Sequence, residues 1–483
     1  MQFRGRTVIA FILLTMIATA VVTLNVADLR LTASLKAKPA VSASKGDSGF
    51  SSDQLSKINT VVDLIESKYY QKIKRDELVD GAVRGMMSAL DDPYSVYMEK
   101  DVAQHFSESI EGSFTGIGAE VTLEKGRITI VSPIKGSPAE RAGLLAKDIV
   151  LSVNGVKLDG FTLNEAVAKI RGPKGTKAKL MIERSGSSEP IELTLVRDDI
   201  DVETVYSHFN PEEGTGVIEI RQFSWNTAER FKDELAKLEG QGMKHLVIDV
   251  RNNPGGVLPV VVEVAQSFIP NGEVVVQVEN RDGKREQSKS KGGTKKTYPI
   301  AVLMNKGSAS ASEILAGALK ERAGAVLVGE TTFGKGTVQV SYNKTLGDGS
   351  LVKMTIAKWL TPDGNWIHEK GIEPDIAAAP PALYTVARLK VSETLRLDSL
   401  GEQVKSAQVM LDGLGYKPDR SDGYYSEGTS LAVEQFQQSF GLPATGEIDA
   451  KTAEALEQAV VAWLKDENND IQLHKAIEVI GRK

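Results

Sequence analysis

Residues 300–320 read IAVLMNKGSASASEILAGALK, and the character of the chain changes once, in the middle of this stretch. Ile300 to Met304 is an unbroken apolar run of buried-strand length, and Ile314 to Lys320 reads as helical, so a Gly/Ser turn joins strand to helix. Ser310 stands at the helix start, where its hydroxyl lies among N–H groups that lack intrahelical partners and can stabilise an anion. The same Ser310-x-x-Glu313 spacing is a capping box. This segment alone therefore leaves a nucleophile and an ordinary helix cap both open.

Strand and helix signals alternate on either side. Val217–Ile220, His245–Val250, Val274–Val278 and Val326–Val328 read as strands, and Thr227–Leu238 and Leu258–Phe268 as helices. Such alternation implies an α/β core. The polar, Lys-rich stretch from Arg281 to Lys296 reads as a solvated loop.

A nucleophilic hydroxyl needs a base. None of the five histidines (His105, His208, His245, His368 and His474) lies in a glycine-bounded turn of the kind catalytic histidines usually occupy. Lys335, in Phe333-Gly334-Lys335-Gly336, is the other candidate, because flanking glycines let the backbone pack closely and draw the side chain inward. A buried lysine without a carboxylate neighbour loses its charge near neutral pH and acts as a base; the competing reading is a surface charge. Downstream, a period of two puts Lys335, Thr337 and Gln339 on one strand face, with Gln339 in position to orient the amine without charging it. Gly329 to Lys335 has the spacing of a phosphate-binding loop, but Gly336 follows where Ser or Thr is needed and the chain continues as a strand. No cluster of His with carboxylates at metal-ligand spacing occurs. No metal and no cofactor are expected.

From Gly112 to Asp198 the chain reads as short strands between turns. Ser137-Pro138-Ala139-Glu140-Arg141-Ala142-Gly143-Leu144 followed by Asp148-Ile149-Val150-Leu151-Ser152-Val153-Asn154-Gly155 resembles a PDZ domain. That resemblance makes Gly116, Ile117, Gly118 and Ala119 the loop that receives a peptide carboxylate, with Thr162–Ile170 the helix across the groove. Arg171, at the end of that helix, is expected to meet a substrate carboxylate or the α/β core, or else to be a solvated charge. Near the C-terminus, Gly413-Leu414-Gly415-Tyr416, Asp422-Gly423-Tyr424-Tyr425, Ala432–Gln437 and Gly441–Asp449 together resemble a peptidoglycan-binding domain. A helical module that binds only protein is the alternative there.

With 483 residues the chain exceeds one core. Its 41% hydrophobic and 25% charged residues are those of a soluble globular protein, and a net charge of -6 argues against nucleic acid as partner. There are no cysteines, which removes disulfides and thiolate chemistry. Arg4 and Arg6 precede an uncharged apolar run from Val8 to about Leu24, which predicts a single-pass membrane anchor with the rest of the chain outside the cytoplasm. Cleavage at Ala18-Thr19-Ala20, giving a secreted protein, is the alternative.

The serine segment, the Phe-Gly-Lys-Gly segment and Gln339 together resemble the C-terminal processing peptidases, or tail-specific proteases. Ser310 and Lys335 are 25 residues apart, as in that family. The resemblance implies a serine endopeptidase with Ser310 as nucleophile, Lys335 as base and Gln339 as its orienting residue. The backbone N–H of Ala311 and that of Gly255 or Gly256, in Arg251-Asn252-Asn253-Pro254-Gly255-Gly256, would form the oxyanion hole. It further implies protein C-termini as substrates, sensed through the PDZ domain. A non-catalytic wall-bound scaffold is the second reading.

The expected fold is multidomain α+β, with an α/β protease core of the ClpP/crotonase-like kind, a β-rich PDZ domain and small helical modules at both ends. The boundaries are a signal anchor (1–27), linker (28–50), helical region (51–111), PDZ domain (112–198), protease core (199–380), linker or helix (381–400), peptidoglycan-binding-like domain (401–462) and tail (463–483). The helical ends suggest a homodimer.

Overall fold

The computed structural model describes residues 49–482 apart from 135, 186, 188, 344 and 392, so the expected anchor lies outside the described residues. Among the described residues no helix is long and apolar enough to cross a membrane. The chain divides into two compact units, one ending at Val83 and the other beginning at Arg84. In the first, Ser51 caps a helix over Ser52–Lys68 through a capping box with Gln54. None of that helix's residues is buried.

The second unit is built around a six-stranded sheet. Its order is Val205–Asn210, Thr215–Ile220, His245–Asp249, Ile300–Met304, Val326–Gly329 and Ile376–Ala377. The first pair is antiparallel and every later pair parallel. Strand residues alternate between two faces, as period two requires. Ile218, Ile220, Leu246, Ile248, Val302, Met304 and Leu327 pack with helices Thr227–Gly240, Leu258–Ala265 and Ala311–Ala318. Val217, Val247, Ala301, Leu303 and Val328 point the other way, onto Leu473, Ala476 and Ile480. Those three residues belong to a helix over Ile471–Gly481. This helix, within the segment read from sequence as a tail, thus supplies the layer that keeps the second sheet face from water. Leu383 and Leu389 likewise lie in the core of the C-terminal module, and Leu395 is bridged to Ile448.

An antiparallel sheet joins Val96–Met98, Leu351–Leu360, Val274–Asn280 and Arg285–Lys289, with Thr337–Tyr342 also paired to Leu351–Leu360. Arg285–Lys289 corrects the reading of Arg281–Lys296 as a solvated loop. Asn280 Oδ1 accepts from Asp282 and Lys284 N–H, and Gly283 takes the left-handed conformation, φ 76°, that the hairpin turn needs. The strand is exposed and charged, so no hydrophobic period marks it.

The PDZ-like segment forms the strands Ala119–Glu124, Arg127–Pro133, Ile149–Val153, Lys177–Glu183 and Ile191–Val196 around their own core. Its helix, Leu163–Ile170, starts at a Thr162 capping box with Glu165. At the C-terminal end, helices Glu402–Gly413, Glu427–Ser439 and Ala450–Lys465 enclose Phe436, Val433, Leu456 and Tyr425.

Candidate active site

Three loops leave the carboxyl ends of neighbouring parallel strands, where α/β sheets place their sites. They are Arg251–Gly256, Asn305–Ser310 and Glu330–Gly336, and they carry Gly255, Gly256, Ser310 and Lys335. Ser310 adopts φ 53° and ψ -110° at the strand-to-helix junction, a costly conformation for a residue with a side chain. Contacts on all sides hold it there. Ala309 N–H donates to Asn253 O (3.0 Å), and Ser312 Oγ donates to the same carbonyl (2.9 Å).

Glu313, read from sequence only as a cap, has a larger part. It is fully buried, and its Oε2 accepts from the backbone N–H of both Ser310 (2.7 Å) and Lys335 (2.9 Å). Its Oε1 accepts from Gly334 N–H (2.6 Å) and Thr332 Oγ1 (2.6 Å). One carboxylate therefore ties the serine segment to the lysine segment. The lysine loop is pinned on its other side as well: Trp359 Nε1 donates to Lys335 O (2.8 Å), Trp366 Nε1 to Gly336 O (2.9 Å), and Gly336 N–H to His368 Nδ1 (3.3 Å). A Cβ on Gly336 would lie 2.8 Å from both His368 N and Trp366 Nε1, which explains the glycine.

Lys335 Nζ faces the Tyr94 ring, 5.0 Å from its centroid, and makes no ion pair among the described residues. Burial, and secondarily the charge of Lys353, pull the amine down from its ordinary value to about 8, against the weaker opposing pull of Asp92 and Glu313. Asp92 itself lies low. Its desolvation is outweighed by hydrogen bonds from Ser95, Thr355 and the Tyr94 N–H.

Gln339 sits on the face with Thr337, as period two predicted, and its Nε2 donates to Thr337 Oγ1 (2.9 Å) and Thr355 Oγ1 (3.1 Å). It makes no hydrogen bond to Lys335 here. Its donors are committed, which leaves Oε1 as the atom able to accept from an amine.

Gly255 and Gly256, which sequence did not separate, differ in the structure. Gly255 N–H is occupied by Asn253 Oδ1 at 2.8 Å. The N–H groups of Gly256 and Ala311 have no protein partner among the described residues. A Cβ on Gly255 would stand 2.9 Å from both Ala311 N and Ser310 Cβ, so this loop must pass the serine as bare backbone.

In the PDZ-like segment, Gly116 ends a strand, Ile117 is buried, Gly118 has φ 75° and Ala119 begins the next strand. The carbonyls of Ile117 and Gly118 are engaged by Ala139 N–H and Ser137 Oγ (both 2.8 Å). Arg171 is neither solvated nor paired to the α/β core. It forms an ion pair with Glu108, from the helix Lys100–Glu111, approaches His105 Nδ1 (3.1 Å), and lies over the Phe114 ring. Tyr94, Asp92, Trp359 and Trp366 escaped the sequence reading, and His368, set aside there as a base, instead accepts from the Gly336 N–H.

The peptidase family S41 profile matches residues 214–378, which contain all three loops. The profile of the activating protease CtpB N-terminal domain matches residues 16–102, a PDZ domain 129–184, and a peptidoglycan binding domain 401–456. The carboxy-terminal processing protease CtpB of Bacillus subtilis is 46% identical over 88% of this chain and 88% of its own length. The carboxy-terminal processing protease CtpA of the same organism is 45% identical over 92% of each. Among solved structures, the photosystem II D1 C-terminal processing protease is 29% identical, covering 67% of this chain and 87% of its own, with a TM-score of 0.40. With such identity across nearly the whole length of the Bacillus relatives, the chain belongs to the carboxy-terminal processing serine proteases of peptidase family S41.

Proposed function

We propose that the protein is a Ser-Lys endopeptidase acting outside the cytoplasm on proteins presented by their C-termini. Neutral Lys335 takes the Ser310 Oγ proton as that oxygen attacks the peptide carbonyl carbon. The oxyanion is received by the Gly256 and Ala311 N–H groups. Collapse breaks the C–N bond, and the Lys335 ammonium returns its proton to the leaving amine. Lys335 then deprotonates a water that attacks the acyl carbon, and as the ester C–O bond breaks the same proton passes from Lys335 to Ser310 Oγ. Gln339 Oε1 is assigned the orientation of the amine once the site is engaged. The single observation that carries this reading is the Glu313 carboxylate shared by the backbones of Ser310 and Lys335.

The base must be uncharged, and an amine is uncharged above its pKa. Activity therefore rises with pH, about tenfold per unit below a Lys335 pKa of about 8, and levels off above it. A kcat/KM for casein that stays flat from pH 5 to 10, with chemistry rate-limiting, excludes Lys335 as the base.

Arg171 is already paired, so a substrate carboxylate has to displace Glu108 to reach it. A peptide substrate amidated at its C-terminus is expected to be cleaved more slowly than the free acid; equal rates exclude carboxylate sensing. Leu55, Ile58, Val61 and Leu64 form an exposed apolar row at helical spacing, which supports pairing with a second copy. Light scattering is expected to give a dimer mass that Leu64→Glu halves; a monomeric wild type excludes it. Export and wall attachment require co-sedimentation of the protein with purified peptidoglycan and recovery from the envelope fraction. Recovery in the cytosol would contradict both.

A further inference from the structure

The loop Arg251–Gly256 is held to the serine loop from one side and to the end of the chain from the other. On the serine side, Asn252 and Asn305 exchange hydrogen bonds: Asn252 N–H donates to Asn305 Oδ1 (2.9 Å), and Asn305 Nδ2 to Asn252 Oδ1 (2.9 Å). Asn252 itself takes φ 56°, so the loop is not in a relaxed conformation. On the other side, Arg251 Nη1 and Nη2 donate to Asp470 Oδ1 (2.9 Å) and Oδ2 (2.6 Å), a fork-to-fork pair. Arg251 Nη1 also reaches Gln472 Oε1 (3.0 Å), and its Nε and Nη2 are taken by Asp249 (3.0 and 2.7 Å). The Arg251, Asp249 and Asp470 side chains are 13–15% exposed, so water competes little for these bonds.

Asp470 is the N-cap of the helix Ile471–Gly481, accepting from Leu473 N–H at 3.0 Å. It lies just beyond Lys465, the end of the last helix of the peptidoglycan-binding domain. Gln472 is also fastened, donating to Ala378 O at 2.6 Å.

We propose that Asp470 is a positioning residue for the oxyanion loop, acting through Arg251, so that the segment following the peptidoglycan-binding domain is part of the catalytic apparatus. This rests on the assignment of the Gly256 N–H to the oxyanion hole. Small displacements of that donor cost rate and leave binding of the substrate largely intact.

Asp470→Asn is the informative variant. Asn caps helices as well as Asp does, but it offers one acceptor where Arg251 uses two and turns an NH2 onto the guanidinium. In the full-length chain, kcat for labelled casein is expected to fall roughly 10- to 100-fold with KM little changed. Leu473→Ala, which loosens the same helix without touching the ion pair, is expected to lower the melting temperature and leave kcat unaltered. The Arg251→Met/Asp470→Asn double variant is expected to be no slower than Arg251→Met alone, because both act on one path. A wild-type kcat for Asp470→Asn, a kcat loss in Leu473→Ala equal to that of Asp470→Asn, or multiplying losses in the double variant each overturns the proposal. Ser310→Ala, run alongside, separates the failures. If it is inactive while Asp470→Asn is normal, only the positioning role falls. If Ser310→Ala remains active, the underlying active-site assignment falls.

Discussion

Lys335→Ala is expected to lower kcat/KM for casein by about four orders of magnitude, the upper range for loss of a general base. Lys335→Arg is expected to do the same, since a guanidinium keeps its proton and cannot accept one. Removing the charge while keeping the volume is expected to leave the fold intact or make it firmer. An amine whose pKa drops from 10.5 to about 8 on folding opposes folding at pH 7, where it is charged in both states and desolvated in one. Replacement by Met, of similar length and apolar, is therefore expected to add roughly 1–3 kcal/mol of stability at pH 7. The sign fixes the window. Below pH 8 the penalty is fully present, between pH 8 and 10.5 it fades as the folded and then the unfolded amine loses its proton, and above that it is gone. Denaturant unfolding of wild type and Lys335→Met at pH 7 and pH 10.5 measures this. A variant that is inactive and equally destabilised at both pH values would mean that Lys335 is a packing residue. Cleavage at wild-type rates by Lys335→Ala would end the base assignment.

Glu313 supports the second large effect. Glu313→Ala strips a fully buried acceptor from four donors: the N–H groups of Ser310, Gly334 and Lys335, and the Thr332 hydroxyl. Leaving such groups unpaired in the interior is expected to cost about 3–5 kcal/mol and all measurable activity. Glu313→Gln is the finer test. It keeps the shape but puts an NH2 where a carboxylate oxygen accepted two bonds, so one loop must let go. Thermal unfolding is expected to show a moderate loss, and kcat to fall roughly 100-fold with KM little changed. A normal kcat in Glu313→Gln would show that the two loops keep their alignment without it.

How much of this was readable beforehand follows from the range of each interaction. The helix over Thr162–Ile170, the helix that begins after Ser51 and the strand-to-helix change at Ser310 are written within a few residues, and the folded chain has a helix starting at each of these places. Even so, the hairpin strand Arg285–Lys289 left no trace, because a charged strand at a sheet edge has the composition of a loop. Arg171 was placed at the end of its helix correctly, but its partner Glu108 lies on a different helix, 63 residues earlier.

Local order along the chain determined which residues are candidates: the serine at a helix start, the lysine between glycines and the paired glycines of the turn. Tertiary structure alone decided what those candidates can do. The neutral tendency of Lys335 arises from burial and from Lys353, and its setting from Tyr94 and Asp92, all on other segments. Which glycine N–H of the turn stays unpaired among the described residues follows from a side chain, Asn253, that occupies the Gly255 N–H and leaves that of Gly256. The physical reason is common to all of these: hydrophobic period and capping act between neighbours in sequence, whereas desolvation and hydrogen-bond competition act between neighbours in space, and only folding makes those neighbours.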